Sequence, residues 1–383
     1  MTDLLARNTA TGRLPNVGGR EAVESLYGES DFVGPLGAHA RRVRDLFKRR
    51  ALIHAHRASL RDAEDGVASA DELTAAAEQR LFNISSQEEG AAKLVPLSNL
   101  VRDALAAIDA RLSGDGPPPG IETGYADLDE VLVGLRPGQL VAVGGRPSTH
   151  KTNLTTNIAV NAAAAGNPTV FLSLEMSSAE IAERLLAMGS GVPVKAFTGR
   201  TRLRDADAGR LAAVAGPDGL GQLPLHVYAG GDLTAAAVGS LLRVAIRKHG
   251  ARLAVVDYLQ LMQPENPKEN RTLQVGLLTK RLKQLAQQLQ IPIILLAQLN
   301  RESEKRTDPR PRLSDFRESG EIEAHADVAL LTHIPPDQPD EQPVHDLEVI
   351  VAKNRNGKRD VIATLALTRS TFAIENKAVG YPR

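Results

Sequence analysis

Gly145-Arg-Pro-Ser-Thr-His-Lys-Thr152 lies where an apolar run, Leu140–Val143, gives way to a helical stretch near residues 152–165. A glycine-led loop between strand and helix, closed by Lys and Thr, matches the pattern that cradles phosphates. Backbone N–H groups and the helix N-terminus surround the anion in that geometry. The residues assigned to the nucleotide are Gly145, Arg146, Pro147, Ser148, Thr149, His150, Lys151, Thr152 and Asn153. Lys151 suits the β and γ phosphates of ATP, and Thr152 suits Mg2+. His150 stands where the pattern asks for a second glycine. Glycine is favoured where the backbone takes positive φ or approaches a ligand closely. Among other residues, His tolerates positive φ comparatively well.

On either side of this loop, short apolar runs alternate with helical stretches. The runs are Leu140–Val143, Thr169–Leu174, Leu225–Tyr228, Leu253–Val256 and Ile291–Leu296. Helices are expected near 152–165, 178–188, 234–248 and 271–289, with Ser177 and Glu180 forming a capping box for the second. This is the pattern of an α/β fold, a mostly parallel sheet covered by helices on both faces. Four further runs, Val328–Ile334, Leu347–Ala352, Val361–Thr368 and Thr371–Ile374, lack long intervening helices and extend the sheet by hairpins.

Polar residues at the ends of these strands supply the remaining chemistry. Asp257 closes Leu253-Ala-Val-Val-Asp257 and is placed to support the metal. Glu175 closes Phe171-Leu-Ser-Leu-Glu175 at the carboxyl edge, where a carboxylate can activate water as a general base. Gln298 follows another buried strand and could feel the γ phosphate; a structural amide is the alternative. Segment 301–319 holds Arg301, Lys305, Arg306, Arg310, Arg312 and Arg317 and reads as a long exposed loop supplying local positive charge. Lys353 and Arg355 are two apart on a strand and so share a side, as a pair of cationic fingers would; a basic hairpin tip is the alternative.

Composition restricts the partners. The 46 basic and 46 acidic side chains cancel, so a nucleic-acid site must be local. Aromatic residues are 3% and Trp is absent, which disfavours a base-stacking platform and leaves phosphate contacts. There are no cysteines to hold zinc or an iron–sulfur cluster. No signal peptide or membrane span is read, and a cytoplasmic location is expected.

The N-terminal part reads as helical. Val43, Leu46, Phe47 and Ile53 fall near one face of a helix over 40–53. A second helix, 69–84, starts at Ser69 as cap, and a third runs from Asn99 to about Leu112. The breaker run Ser-Gly-Asp-Gly-Pro-Pro-Pro-Gly, 113–120, follows. The basic cluster Arg41, Arg42, Arg44, Lys48, Arg49 and Arg50 reads as a solvated helix face in preference to a DNA patch.

From Thr123 to Glu375 the chain resembles the motor domain of DnaB-type replicative helicases. The resemblance is carried by Thr123-Gly-Tyr-Ala-Asp-Leu-Asp129 with Gly134-Leu-Arg-Pro-Gly138, by Arg146-Pro-Ser148 and by Ser173-Leu-Glu-Met176. Asp257-Tyr-Leu-Gln-Leu-Met262, Gln298-Leu-Asn-Arg301 and Leu313-Ser-Asp-Phe-Arg-Glu-Ser-Gly-Glu-Ile-Glu323 complete it. It implies a RecA-like P-loop ATPase domain that moves 5′ to 3′ on single-stranded DNA as a ring of six. It implies Lys151 and Thr152 on ATP and Mg2+, Asp257 behind the metal, Glu175 as base and Gln298 as γ-phosphate sensor. Lys353 and Arg355 would reach the neighbouring subunit's ATP. Arg317, Glu318 and Gly320 would hold the DNA backbone.

The expected organisation is a partial helical collar domain at 1–92, a linker helix and Pro/Gly-rich linker at 93–122, and the motor at 123–383. The N-terminal match is the weaker one, carried by Val17-Gly-Gly19 and His39-Ala-Arg-Arg-Val-Arg44. The start of the usual collar domain is missing, which puts primase and loader contacts in question. His150, and Ala324-His325 in place of Gln-Asp, are further departures. Two rival functions stay open: an ATP-binding scaffold or ring partner with little turnover, and a RecA-like recombination or repair ATPase.

Overall fold

A computed structural model describes residues 36–66, 68–90, 95–113, 120–197, 199, 203–231, 233–263, 270–300, 306–316, 319–339 and 341–377. The chain divides into two compact units, residues 1–93 and 94–383.

In the first unit, helices α1 (Leu36–Glu64) and α2 (Ala70–Gly90) pack together. Ser69 caps α2 as expected: its N–H donates to Glu72 Oε2 at 2.8 Å, and the Glu72 N–H donates back to Ser69 Oγ. Arg80 of α2 ties the pair by donating to Ser59 Oγ at 3.0 Å and to Asp62. Val43, Phe47 and Ile53 stay more than half exposed.

The second unit opens with α3 (Leu97–Leu112) and α4 (Ala126–Leu132). Six strands follow, interleaved with helices: β1 (Leu140–Gly145), β2 (Thr169–Ser173), β3 (Leu225–Ala229), β4 (Leu253–Asp257), β5 (Ile293–Gln298) and β6 (Val328–His333). All six pair in parallel. Strands β7 (Val344–Asn354), β8 (Val361–Thr368) and β9 (Ala373–Asn376) continue the sheet as an antiparallel meander. The order is β3-β2-β4-β5-β1-β6-β7-β8-β9. The fold class read from the sequence is therefore the observed one. Strand β5 starts two residues later than expected, because Pro292 has no N–H to pair.

Alternation along β1 builds two cores. Leu140 and Ala142 face one side, with Leu242 of α8 (Ala235–His249) and Leu282 of α9 (Arg271–Leu289). Val141 and Val143 face the other, with Leu128 of α4 and Ile158 of α5 (Lys151–Ala164). The small Ala159 and Ala162 let α5 lie close on the sheet, and neither is exposed. The sequence pattern gives no expectation for α7 (Asp205–Ala215), or for α4 and α10 (Ser319–His325), which have seven residues each. The capping box that starts α6 (Ser178–Ser190) is present as read.

Candidate nucleotide site

Strand β1 is buried along its whole length and delivers the loop at its carboxyl end. A Cβ on Gly145 would collide with the Thr332 and Thr149 hydroxyls, so this position accepts no side chain. Thr149 Oγ1 lies 2.9 Å from Thr332 Oγ1, and Arg146 Nη1 donates to the Leu299 carbonyl at 3.0 Å. These bonds anchor the loop to the strands on both sides of β1. Ser148 and His150 both take positive φ, 68° and 61°.

His150 therefore adopts the backbone that the missing glycine would have supplied. Its imidazole Nδ1 lies 2.7 Å from Asn153 Nδ2. Asn153 Oδ1 accepts from Arg184 Nη1 at 2.8 Å, which turns the Asn153 amide N–H toward the ring. Nδ1 is then the acceptor, and the ring proton resides on Nε2. Burial first, then the charges of Arg369 and Arg184, push the His150 pKa down to about 4, so the ring is neutral at pH 7. Phe372 completes the cluster, 6.0 Å from the His150 ring and 5.0 Å beneath the Arg184 guanidinium. Asn157 of α5 holds Phe372 there: its Nδ2 donates to the Phe372 carbonyl, and its Oδ1 accepts from the Ile374 N–H.

The strand-end residues converge beside the loop. Register pairs Ser173 with Asp257, and Gly145 with both Gln298 and Thr332. Asp257 is fully buried, and neither carboxyl oxygen has a hydrogen-bond partner. Desolvation pushes its pKa up to about 6, against the opposing pull of Lys151. The Thr152 hydroxyl lies near enough to add to that pull without reaching hydrogen-bond geometry. The Lys151 ammonium sits 5.2 Å over the Tyr258 ring. Glu175 is exposed just past β2, where its charge acts on both Asp257 and Tyr258.

An orphaned buried carboxylate beside Lys and Thr at a phosphate loop fits a magnesium–nucleotide complex. Among the described residues no group of three or more His, Cys, Asp or Glu could hold a metal alone.

The Gln298 backbone N–H donates to Gln260 Oε1 at 3.3 Å. One residue on, Leu299 pairs with Phe316, and the Asn300 N–H donates to the Asp315 carbonyl at 2.7 Å. The carboxyl end of β5 is thus wired to the far end of the charged segment. Two cations of that segment are not free for a ligand. Arg306 Nη1 donates to the buried Asp315 at 2.9 Å, and Arg310 makes a two-bond pair with Glu348 at 2.7 and 2.8 Å. The expected positive loop is correspondingly reduced. Gly320 is exposed at the start of α10, and Arg317, Glu318, Arg301 and Lys305 lie outside the described residues.

Lys353 and Arg355 are not brought to this loop. β7 runs antiparallel to β6, so Asn354 pairs with Val328 at the amino edge of the sheet. Thr332, which pairs with Gly145, is four residues further along β6, roughly 13 Å of strand. Arg355 lies one residue past β7. Even so, both cations serve one corner: Lys353 Nζ donates to the Glu323 carbonyl, and Arg355 Nη1 lies 3.2 Å from Asp327 Oδ1. Burial, then the Arg355 charge, lowers the Lys353 pKa.

Sequence reasoning missed Arg184, Phe372, Thr332 and Asp327. All four are brought in from other elements by the fold.

A parallel sheet with a phosphate loop at its switch strand and strand-end carboxylates around it defines a P-loop nucleotide-binding domain. Residues 120–374 match the family described as the DnaB-like helicase C terminal domain. The replicative DNA helicase DnaB of Leifsonia xyli subsp. xyli is 33% identical over 91% of this chain and 76% of its own length. That of Geobacillus stearothermophilus is 30% identical over 93% of this chain and 78% of its own. A solved ATPase domain superposes with a TM-score of 0.66 at 28% identity, covering 73% of this chain and 99% of that one. A DnaB-like replicative helicase solved to show its interactions with primase shares the fold. Its TM-score is 0.72 at 24% identity, over 98% of this chain and 87% of that one. The chain belongs to the DnaB-like replicative helicase family. No helix among the described residues is long and apolar enough to cross a membrane.

Proposed function

We propose that this chain is an ATP-hydrolysing helicase motor that works as a hexameric ring on single-stranded DNA, moving 5′ to 3′. Residues 123–383 are the motor, 93–122 the linker and 1–92 a partial collar. Lys151 binds the β and γ phosphates, Thr152 and Asp257 hold Mg2+, and Glu175 orients and deprotonates the attacking water. Bound magnesium would draw charge from the phosphate oxygens. Gln298 senses the γ phosphate and passes its state to the loop that ends at Phe316. Arg317, Glu318 and Gly320 contact the DNA backbone.

The observation that carries this reading is the separation of the two halves of the machinery. The phosphate loop lies at the carboxyl edge of the sheet, and Lys353 and Arg355 lie at the amino edge. A subunit so built cannot bring its fingers to its own nucleotide. A neighbour must supply them, and a ring lets every subunit do so.

The scaffold reading rests on His150 alone. Its left-handed backbone and its engagement by Asn153 and Phe372 favour a tolerated replacement.

Mixing variants tests the proposal. Lys151→Ala and Arg355→Ala should each lose about a thousandfold in DNA-stimulated ATP hydrolysis. Mixed together, they should recover activity, because intact fingers then meet intact loops at some junctions. A mixture that stays silent while both proteins assemble would falsify action across a junction.

A further inference from the structure

Asp327 sits between three elements at the amino edge of the sheet and is 5% exposed. Its Oδ2 accepts from Lys283 Nζ of α9 at 2.6 Å and from the Leu140 N–H at 2.8 Å. Its own N–H donates to the Leu140 carbonyl at 2.9 Å, and its carbonyl accepts from the Arg355 N–H at 2.9 Å. Lys283 is itself fixed by the Gly138 carbonyl at 2.8 Å. The carboxylate is thus held rigidly from below, and its second oxygen, Oδ1, is directed at Arg355.

The charges matter as much as the geometry. Lys283 and Asp327 form a neutral pair, so the buried carboxylate is balanced without Arg355. Arg355 adds a net positive charge to the corner and keeps it. A guanidinium carries five donors. One, on Nη1, is engaged with Asp327, while the side chain stays 55% exposed. Four donors are left for another partner on this half-exposed side chain. Fixing a long side chain in advance removes conformational entropy that would otherwise be lost when it meets a phosphate.

We propose that Asp327, braced by Lys283, is a positioning residue that aims Arg355 across the subunit junction at the neighbour's ATP. The inference rests on the proposed action of Arg355 in trans. A finger that engages transition-state charge should affect kcat more than KM, and a residue acting only through it should do the same.

The test uses the intact oligomer with single-stranded DNA. Asp327→Asn alone would strand the Lys283 ammonium, so the variant is Asp327→Asn with Lys283→Gln. Turnover should fall about 10- to 100-fold, as for a misplaced catalytic group, with KM for ATP within about twofold. The same pair of changes added to Arg355→Ala should leave its single-turnover rate unchanged. Normal turnover in the pair variant, or a further fall on the Arg355→Ala background, overturns the proposal.

Asp327→Glu keeps the pairing with Lys283 and displaces the carboxylate by one methylene. If the pair variant fails to assemble, it carries the same test with the same two outcomes. Should Arg355→Ala itself turn over normally, the finger reading falls first. If Arg355→Ala is silent and both Asp327 variants are normal, only the positioning role falls.

Discussion

Asp257 and Asp327 are two buried carboxylates on opposite edges of one sheet. Asp257 is fully buried, with both oxygens lacking a partner. Asp327 is nearly as buried, yet a lysine, a backbone N–H and an arginine saturate it. An ionised carboxylate away from water is costly unless paired. The fold accepts that cost at the carboxyl edge and avoids it at the amino edge. On the proposed reading, the unsatisfied edge is the one that receives a cation with its phosphates. The satisfied edge is a finished surface, its carboxylate paired within the chain.

The largest expected effect that sharpens this contrast is on turnover. Asp257→Asn should lower steady-state hydrolysis by about a thousandfold, the scale of several kcal/mol of lost metal stabilisation. Next comes stability. Asp327→Ala leaves Lys283 without its carboxylate and should cost about 3–5 kcal/mol in urea unfolding. A loss below about 1 kcal/mol would break the comparison, since the amino edge would then not depend on its pairing.

Asp257→Asn should act in the opposite direction on the nucleotide-free protein and raise its melting temperature at pH 7. The sign follows from the raised pKa. The folded state holds the Asp257 proton up to about pH 6, whereas its ordinary value is 3.8. The penalty is absent below about pH 4, grows as pH rises to about 6, and stays at about 3 kcal/mol above that. Native and variant melting curves measured from pH 4 to 8 should diverge over that window. Parallel curves would show that Asp257 has a partner after all.

The smallest effects lie in the loop. His150→Val places a β-branched residue at φ 61° and should cost about 1–3 kcal/mol, with loss of nucleotide binding. His150→Gly restores the freer backbone and should keep turnover within about fivefold of the native rate, since one neutral hydrogen bond is worth about 1 kcal/mol. A large rise in turnover would show that His150 restrains the motor.

What the sequence made legible is what depends on local pattern. Apolar runs such as Leu253–Val256 marked strands buried on both faces. The Ser177–Glu180 spacing marked a helix start, and a histidine in a glycine's place marked a left-handed residue. Residues brought in from distant elements were not legible. Phe372 lies in the turn before β9 at φ 61°, and Asn157 of a distant helix holds its carbonyl. Arg306 and Arg310 read as exposed cations, since their buried partners Asp315 and Glu348 follow no local rule. The spacing of Lys353 and Arg355 showed them as a pair, but only the antiparallel turn of β7 put them at the far edge.

That separation of loop and fingers has a kinetic consequence. On the proposed reading, a lone subunit binds nucleotide and does not consume it, so hydrolysis obeys mass action between subunits. Dilution below the assembly constant should silence the enzyme without unfolding it. A ring with one unmade junction would also hold one idle site beside the gap, and fuel would be spent only where the circle is continuous.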